Sequence, residues 1–349
     1  MVRVFLGQGL RRWRPTRRER PRTGRSWYAR AALLVVITML LTLSGCLSWH
    51  TGAMEGEPKN ATFVELEGAR VRYLDTDASN VAMTTDEGNE AVAAASKGKP
   101  TVVLVHGFAS SIENWATVIP LLSKEYRVLA LDLKGFGWTD RPEGDYSPEA
   151  EAKIILKLMD ARGVKQAAIV AHSWGSSVAM QALLAAPERF TRVVLYDAWL
   201  YEDQLPAFFH WARVGGVGEA LFGAFYDQRP DERMSLAFYD KKFVSERLVE
   251  EVEKALDRPG TRAAALAGSR GMHYAELEGR YKLMDKPTLI LWGREDAVTP
   301  IRYGERLSRE LPNARMVVYP RCGHFPMLEA REASNRDLMA FLAGKDSFQ

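Results

Sequence analysis

The chain has 349 residues, 47% of them hydrophobic and 26% charged, with a net charge of +3, which fits one large globular domain or two ordinary ones. Residues 1 to 45 hold ten arginines and one glutamate, leaving 37 basic against 43 acidic residues in the remainder. The basic excess is therefore confined to one end, which excludes a nucleic-acid-binding reading of the whole chain.

In chain order, an arginine-rich stretch ends at Arg30, an apolar run covers Ala31 to Leu43, and Leu43-Ser44-Gly45-Cys46 follows. A spanning helix needs ~20 apolar residues, so this shorter run reads as the apolar region of a secretory signal. Its ending resembles a bacterial lipoprotein signal, which implies lipid on Cys46, a signal peptide over 1–45 and a membrane-tethered protein of the cell envelope. An uncleaved N-terminal anchor is the plainer alternative. Residues 46–59 then read as a tether. The other cysteine is Cys322, so neither a disulfide framework nor a cysteine zinc site is expected.

Strands follow. Thr62 to Leu66 and Ala69 to Leu74 alternate around Glu67-Gly68, a hairpin pattern, and residues 75–99 read as a long exposed loop. Thr101 to Val105 is a β-branched apolar run of the kind buried on both faces of a parallel sheet. From there helix and strand alternate: a helix around Trp115 to Leu122, a strand over Arg127 to Leu131, a helix over Pro148 to Ala161, a strand over Ala167 to Val170, a helix over Ser173 to Ala186, and a strand over Arg192 to Tyr196. The alternation stops near Trp199 and resumes at Thr288 to Leu291, with the helix Arg302 to Glu310, the strand Arg315 to Tyr319 and the helix Leu328 to Leu342 after it. Strands alternating with helices imply a largely parallel sheet. The interruption, 201–281, is rich in aromatics and helix formers and reads as a helical cap over a core of 60–200 and 282–349.

The chemistry concentrates at strand ends. In Ala171-His172-Ser173-Trp174-Gly175 a serine stands between a buried strand and a helix, with small residues two places away on each side. This is the mechanical pattern of the G-x-S-x-G nucleophile elbow with alanine at the first glycine. A hydroxyl is a weak nucleophile at neutral pH and needs a base that is itself oriented by an acid. Gly293-Arg294-Glu295-Asp296 and Cys322-Gly323-His324 supply these after two later strands, and the carboxyl ends of parallel strands share one crevice. Ser173 is the expected nucleophile, His324 the base and Asp296 the acid. Glu295 and Asp197 are the alternative acids. His106 and His172 read as scaffold, Cys322 as no nucleophile, and Gly135-Phe136-Gly137 as a turn rather than a dinucleotide site. In the cap, His210, Trp211, Phe222, Phe225, Tyr226, Phe238, Tyr239 and His273 read as core packing, with some of them lining a pocket.

Together with His106-Gly107-Phe108, Asp132 to Asp140 and Gly323-His324, these motifs resemble the α/β-hydrolase fold of the capped kind over roughly residues 60 to 345. The resemblance implies a mostly parallel eight-stranded sheet flanked by helices, and an oxyanion hole from the backbone N–H groups of Phe108 and Trp174. The second of these stands at a helix N-terminus, where N–H groups lack intrahelical partners and the dipole favours negative charge. The expected function is a serine esterase acting on a small-molecule ester with an apolar moiety, with no cofactor and no metal. A carbon–carbon bond hydrolase, a thioesterase or a perhydrolase could use the same three residues, and a non-catalytic membrane-tethered binding protein is the alternative of another class.

Overall fold

A computed structural model describes residues 47–77 and 98–345, together with Tyr28 and Arg30. The signal segment and Cys46 lie outside the described residues. So does most of the loop expected over 75–99, but its first residues are not exposed. Asp75 and Thr76 are buried, and the Asp75 carboxylate receives Arg127 at 2.9 and 2.7 Å and Arg162 at 2.7 Å. A carboxylate leaves water at that depth only when cations and hydrogen bonds replace its hydration.

The described residues build an eight-stranded sheet in the order β1-β2-β4-β3-β5-β6-β7-β8. Its strands are β1 (Thr62–Leu66), β2 (Ala69–Asp75), β3 (Thr101–Val105), β4 (Arg127–Leu131), β5 (Ala167–His172), β6 (Phe190–Tyr196), β7 (Thr288–Gly293) and β8 (Ala314–Tyr319). The β1–β2 hairpin joins antiparallel to β4, and every pairing from β4 to β8 is parallel. Alternation along β3 divides the core. Val103 and Val105 face one layer, with Ile154, Leu158 and Val178, whereas Val102 and Leu104 face the other, with Trp115, Ile119 and Phe341. Because both faces are covered, the central strands are apolar without interruption.

The flanking helices follow local rules. α1 (Ile119–Leu122) comes after a 3-10 turn over Ile112–Trp115. α2 (Pro148–Ala161) starts with proline at its first position and with the Ser147 hydroxyl accepting from the Ala150 N–H at 3.3 Å, so two start signals coincide. α3 (Gly175–Ala185) follows the elbow. Between β6 and β7 the chain forms α4 (Ala207–Ala212), α5 (Val217–Phe225), α6 (Pro230–Ala237), α7 (Glu246–Leu256), α8 (Thr261–Gly271) and α9 (Ala275–Glu278). The core is completed by α10 (Arg302–Glu310), α11 (Pro326–Glu329) and α12 (Arg331–Leu342).

The stretch expected as a tether is not slack where it is described. His50 and Arg141 exchange backbone hydrogen bonds at 2.9 and 2.7 Å, the Met54 side chain is buried, and Trp49 stacks on Tyr146 with ring centroids 5.8 Å apart. Arg141 anchors this contact from the core, donating to Thr261 Oγ1 at 3.0 Å and to the Thr139 and Gly137 carbonyls at 2.8 Å each. Small polar composition alone could not reveal this docking, because the contacts are made by the few large residues within it. Among the described residues, no helix is long and apolar enough to cross a membrane.

Candidate active site

The parallel strands deliver their loops to one edge. After β5, Ser173 adopts φ +52°, a left-handed conformation that costs a non-glycine residue about 1 kcal/mol or more and survives where surrounding contacts enforce it. Those contacts are visible: the Ser173 N–H donates to the Tyr196 carbonyl at 2.9 Å, and the Ser173 carbonyl accepts from Trp199 at 3.1 Å and Ser176 at 2.9 Å. The elbow is packed so tightly that a Cβ on Gly175 would stand 2.3 Å from the His106 carbonyl oxygen, and one on Gly107 3.0 Å from the Ser173 Cβ. The second distance places the Phe108 loop directly beside the serine.

The Asp296 carboxylate is saturated with donors. Oδ1 accepts from the N–H groups of Val298 at 2.7 Å and Thr299 at 3.0 Å, and Oδ2 accepts from Thr299 Oγ1 at 2.6 Å. His324 Nδ1 completes the set at 2.7 Å. Burial alone would push this acid up; the His324 interaction and the Thr299 hydrogen bonds outweigh it and hold the carboxyl below its usual range. With Nδ1 committed to Asp296, Nε2 is the nitrogen left to exchange a proton with a hydroxyl. The His324 loop is itself pinned: its N–H donates to the Ala237 carbonyl at 2.7 Å and its carbonyl accepts from His172 Nε2 at 2.8 Å.

The other sequence candidates fall into place around this pair. Glu295 is occupied as an acceptor for the Cys322 N–H at 3.0 Å and braces the loop. His106 accepts the Leu133 N–H on Nε2 at 2.9 Å and donates from Nδ1 to the Gly107 carbonyl at 2.7 Å. His172 is buried, and desolvation, followed by the proximity of His324, lowers its pKa well below the usual imidazole value, so it stays neutral. Cys322 is fully buried, and burial drives its thiol far above the range of a reactive thiolate. Gly135 and Gly137 have φ of +88° and +51° within a turn closed on Asp132, whose Oδ2 accepts the Trp138 N–H at 2.8 Å. Asp197 is fully buried beside Asp296 and His324, and its Oδ1 accepts the Gly293 N–H at 2.8 Å.

One atom each of Asp197, Asp296 and His324 lies within 4.8 Å of the others, a separation a metal ion could bridge. A short hydrogen bond already joins Asp296 to His324, however, so this donor set is arranged to hold a proton between the two residues.

Aromatic rings pack against one another next to the elbow. Phe108 is at the centre, its centroid 5.0 Å from Phe136, 5.8 Å from Trp174 and 5.8 Å from Phe209 on α4, and Trp199 lies 5.3 Å from Phe209. Ser173 is 4% exposed and Trp174 is fully buried. Of the cap aromatics singled out in the sequence, Phe222, Tyr226 and Phe238 are buried, and Phe238 stacks on Phe325 next to His324 at 4.8 Å. Trp211, Phe225 and Tyr239 are exposed, as are His210 and His273. Phe209 and Trp199, which do reach the site, were not among the sequence candidates. A six-residue helix carrying Phe208, Phe209, His210 and Trp211 is too short for periodicity to choose its inner face.

A family model described as alpha/beta hydrolase fold matches residues 100–330. A 2-hydroxy-6-oxo-2,4-heptadienoate hydrolase of Pseudomonas putida is 31% identical over 261 residues, covering 71% of this chain and 91% of that protein. Among solved structures, a meta-cleavage product hydrolase from Pseudomonas fluorescens matches with a TM-score of 0.66 at 26% identity, over 82% of this chain and 98% of that one. A thermophilic esterase from Thermogutta terrifontis shares the fold, with a TM-score of 0.66 at 22% identity, over 82% and 99% of the two chains.

Proposed function

The chain belongs to the alpha/beta hydrolase fold family and is a hydrolytic enzyme, and on that premise we propose that it cleaves a carboxylic ester with an apolar acyl or alcohol part through an acyl-enzyme on Ser173. The observation that carries this reading is the buried His324, bound through Nδ1 to Asp296 at 2.7 Å, at the same sheet edge as the strained Ser173. In the proposed reaction Ser173 Oγ attacks the carbonyl carbon and its proton passes to His324 Nε2. The oxyanion is held by the N–H groups of Phe108 and Trp174. Nε2 returns the proton to the leaving alcohol oxygen as the ester C–O bond breaks. A water then gives a proton to Nε2 and attacks the acyl carbon, and the proton goes back to Ser173 as the acid leaves.

The aromatic cluster of Phe108, Phe136, Phe209, Trp174 and Trp199 supports an apolar substrate. Three of the arginines between β6 and β7 are paired with carboxylates: Arg213 with Glu202, Arg262 with Asp227 and Arg270 with Glu219. An uncharged ester needs no such cation, whereas a dienoate carries a carboxylate that must find one. The second reading, hydrolysis of a carbon–carbon bond in such a diketone acid, is favoured by the identity to the heptadienoate hydrolase. A panel of p-nitrophenyl esters of graded acyl length beside a 2-hydroxy-6-oxo-dienoate separates the two. The ester reading expects turnover that rises with acyl length and exceeds that of the diketone; faster diketone cleavage than any ester would replace it with the second.

We also propose that lipid on Cys46 holds the enzyme at a membrane of the cell envelope, on the strength of the Leu-Ser-Gly-Cys sequence after an apolar run. Expressed from the full chain, the wild type is expected in the detergent phase and a Cys46→Ala protein of mature mass in the aqueous phase. Equal detergent partitioning of both would remove lipidation at that residue.

A further inference from the structure

Asp197 follows β6 with φ +42°, a second strained non-glycine residue at the same edge as Ser173. Its side chain is fully buried, Oδ1 accepts the Gly293 N–H at 2.8 Å, and Oδ2 is enclosed without a hydrogen-bond partner. One of its oxygens lies within 4.8 Å of both an Asp296 oxygen and a His324 ring nitrogen. We propose that Asp197 is a second acid of the site, a positioning residue that holds a proton while Asp296 is charged and takes over the orientation of His324 when the Asp296 carboxylate is lost. This inference rests on the reading of Ser173, His324 and Asp296 given above.

The division of charge follows from the donors. Asp296 accepts four hydrogen bonds and Asp197 one, and two carboxylates this close and this buried do not both ionise. Burial first, and the Asp296 charge second, raise Asp197 well above the usual carboxyl range, with Glu329 adding to the same field. Asp197 is therefore the neutral member, and its proton sits on Oδ2, where the Asp296 carboxylate can accept it. Were its task only to tie β6 to β7 through the Gly293 N–H, an amide would serve without enclosing a second acid. A buried carboxyl oxygen that faces a charged carboxylate and no donor calls for a role. Removing the Asp296 charge lets Asp197 release its proton to solvent, and the new carboxylate then attracts the Nδ1–H of His324.

The test is a double-substitution cycle read by the rate at which a fluorophosphonate probe labels Ser173. The wild-type enzyme is compared with Asp197→Asn, Asp296→Asn and the double variant, all checked for folding by circular dichroism. Asp197→Asn is expected to slow labelling at least about tenfold more in the Asp296→Asn background than in the wild type, since the residues act on one histidine. A slowing by the same factor in both backgrounds would overturn the proposal, because a merely structural loss is indifferent to Asp296. Asp197→Ser, which keeps an acceptor near Gly293, replaces the asparagine variant if that does not fold. A second readout needs no turnover: in Ser173→Ala protein, the His324 ring pKa followed by NMR should fall on adding Asp197→Asn to Asp296→Asn, and an unmoved value would also overturn the takeover. If the wild type does not label, the serine-hydrolase reading fails, and the NMR comparison still decides the place of Asp197.

Discussion

Ser173→Ala is expected to lower kcat on the preferred ester by on the order of 10⁶ while leaving the protein folded. The size follows from covalent catalysis. Without Oγ there is no acyl-enzyme, and His324, held by Asp296 at 2.7 Å, has no hydroxyl to deprotonate. In the proposed mechanism what persists is substrate binding and the N–H groups at the elbow, which together leave a residual acceleration of about 10³–10⁴ over water. The proposed mechanism makes Ser173 and His324 one unit, so adding His324→Ala to the serine variant should cost almost nothing more. The fold should tolerate the change, because Ser173 is held through its backbone, by Tyr196, Trp199 and Ser176, and alanine makes the same three hydrogen bonds. Ester kinetics and a melting curve on the same preparation check both halves. Retention of more than about 1% of the wild-type rate would mean that another group attacks the substrate.

Gly175→Ala is expected to abolish activity and to destabilise the fold markedly, a far larger effect than its single methyl group would have at a surface site. The added Cβ would lie 2.3 Å from the His106 carbonyl oxygen and 2.8 Å from that of Val105. Both obstacles are backbone of β3 and the loop leading from it, and β3 is paired on each side, to β4 and β5. Relief therefore requires α3 to move away from the sheet, at a cost of about 3 kcal/mol or more for a displaced buried backbone. The same movement separates Ser173 from Gly107 and Phe108, and a misplacement of ~1 Å at a reacting atom is enough to cost 10²-fold in rate. Soluble yield, melting temperature and ester turnover report the outcome; a variant that melts with the wild type would show that the elbow is looser than its contacts imply. At the other small position, Ala171 is fully buried within β5, so one methyl group is accommodated on the strand side of the serine but not on the helix side.

The asymmetry at the elbow shows what could be read from the sequence. The strands were legible because burial on both faces leaves an unbroken apolar signature, and β3, β4 and β7 stand where that signature places them. The pairing of Asp296 with His324 and the placing of Ser173 at the same edge were legible because parallel strands send their carboxyl ends to one edge, whatever separates them in sequence. Helix interruptions were not legible. The run expected as one helix from Leu328 to Leu342 breaks at Ala330 into α11 and α12, with no glycine or proline to mark it. At that break the two oxygens of Glu329 accept the N–H groups of Gly323 at 2.8 Å and Asp240 at 2.9 Å, a tertiary demand invisible to helix propensity. Trp115 to Leu122 is likewise a 3-10 turn and a short helix rather than one continuous element. Asp197 could be named as a possible acid, but its proximity to Asp296 depends on the adjacency of β6 and β7, which no local pattern encodes. Phe209 and the docked segment around His50 share that cause: each is positioned by a long-range contact.

The most direct measurement is the mass of the peptide that carries the adduct after the wild-type enzyme is treated with a fluorophosphonate and digested. A single adduct on Ser173, absent from the Asp296→Asn and Asp197→Asn double variant over the same interval, is the expected result. No adduct on the wild type, or an adduct on any residue other than Ser173, would contradict a serine nucleophile activated by His324.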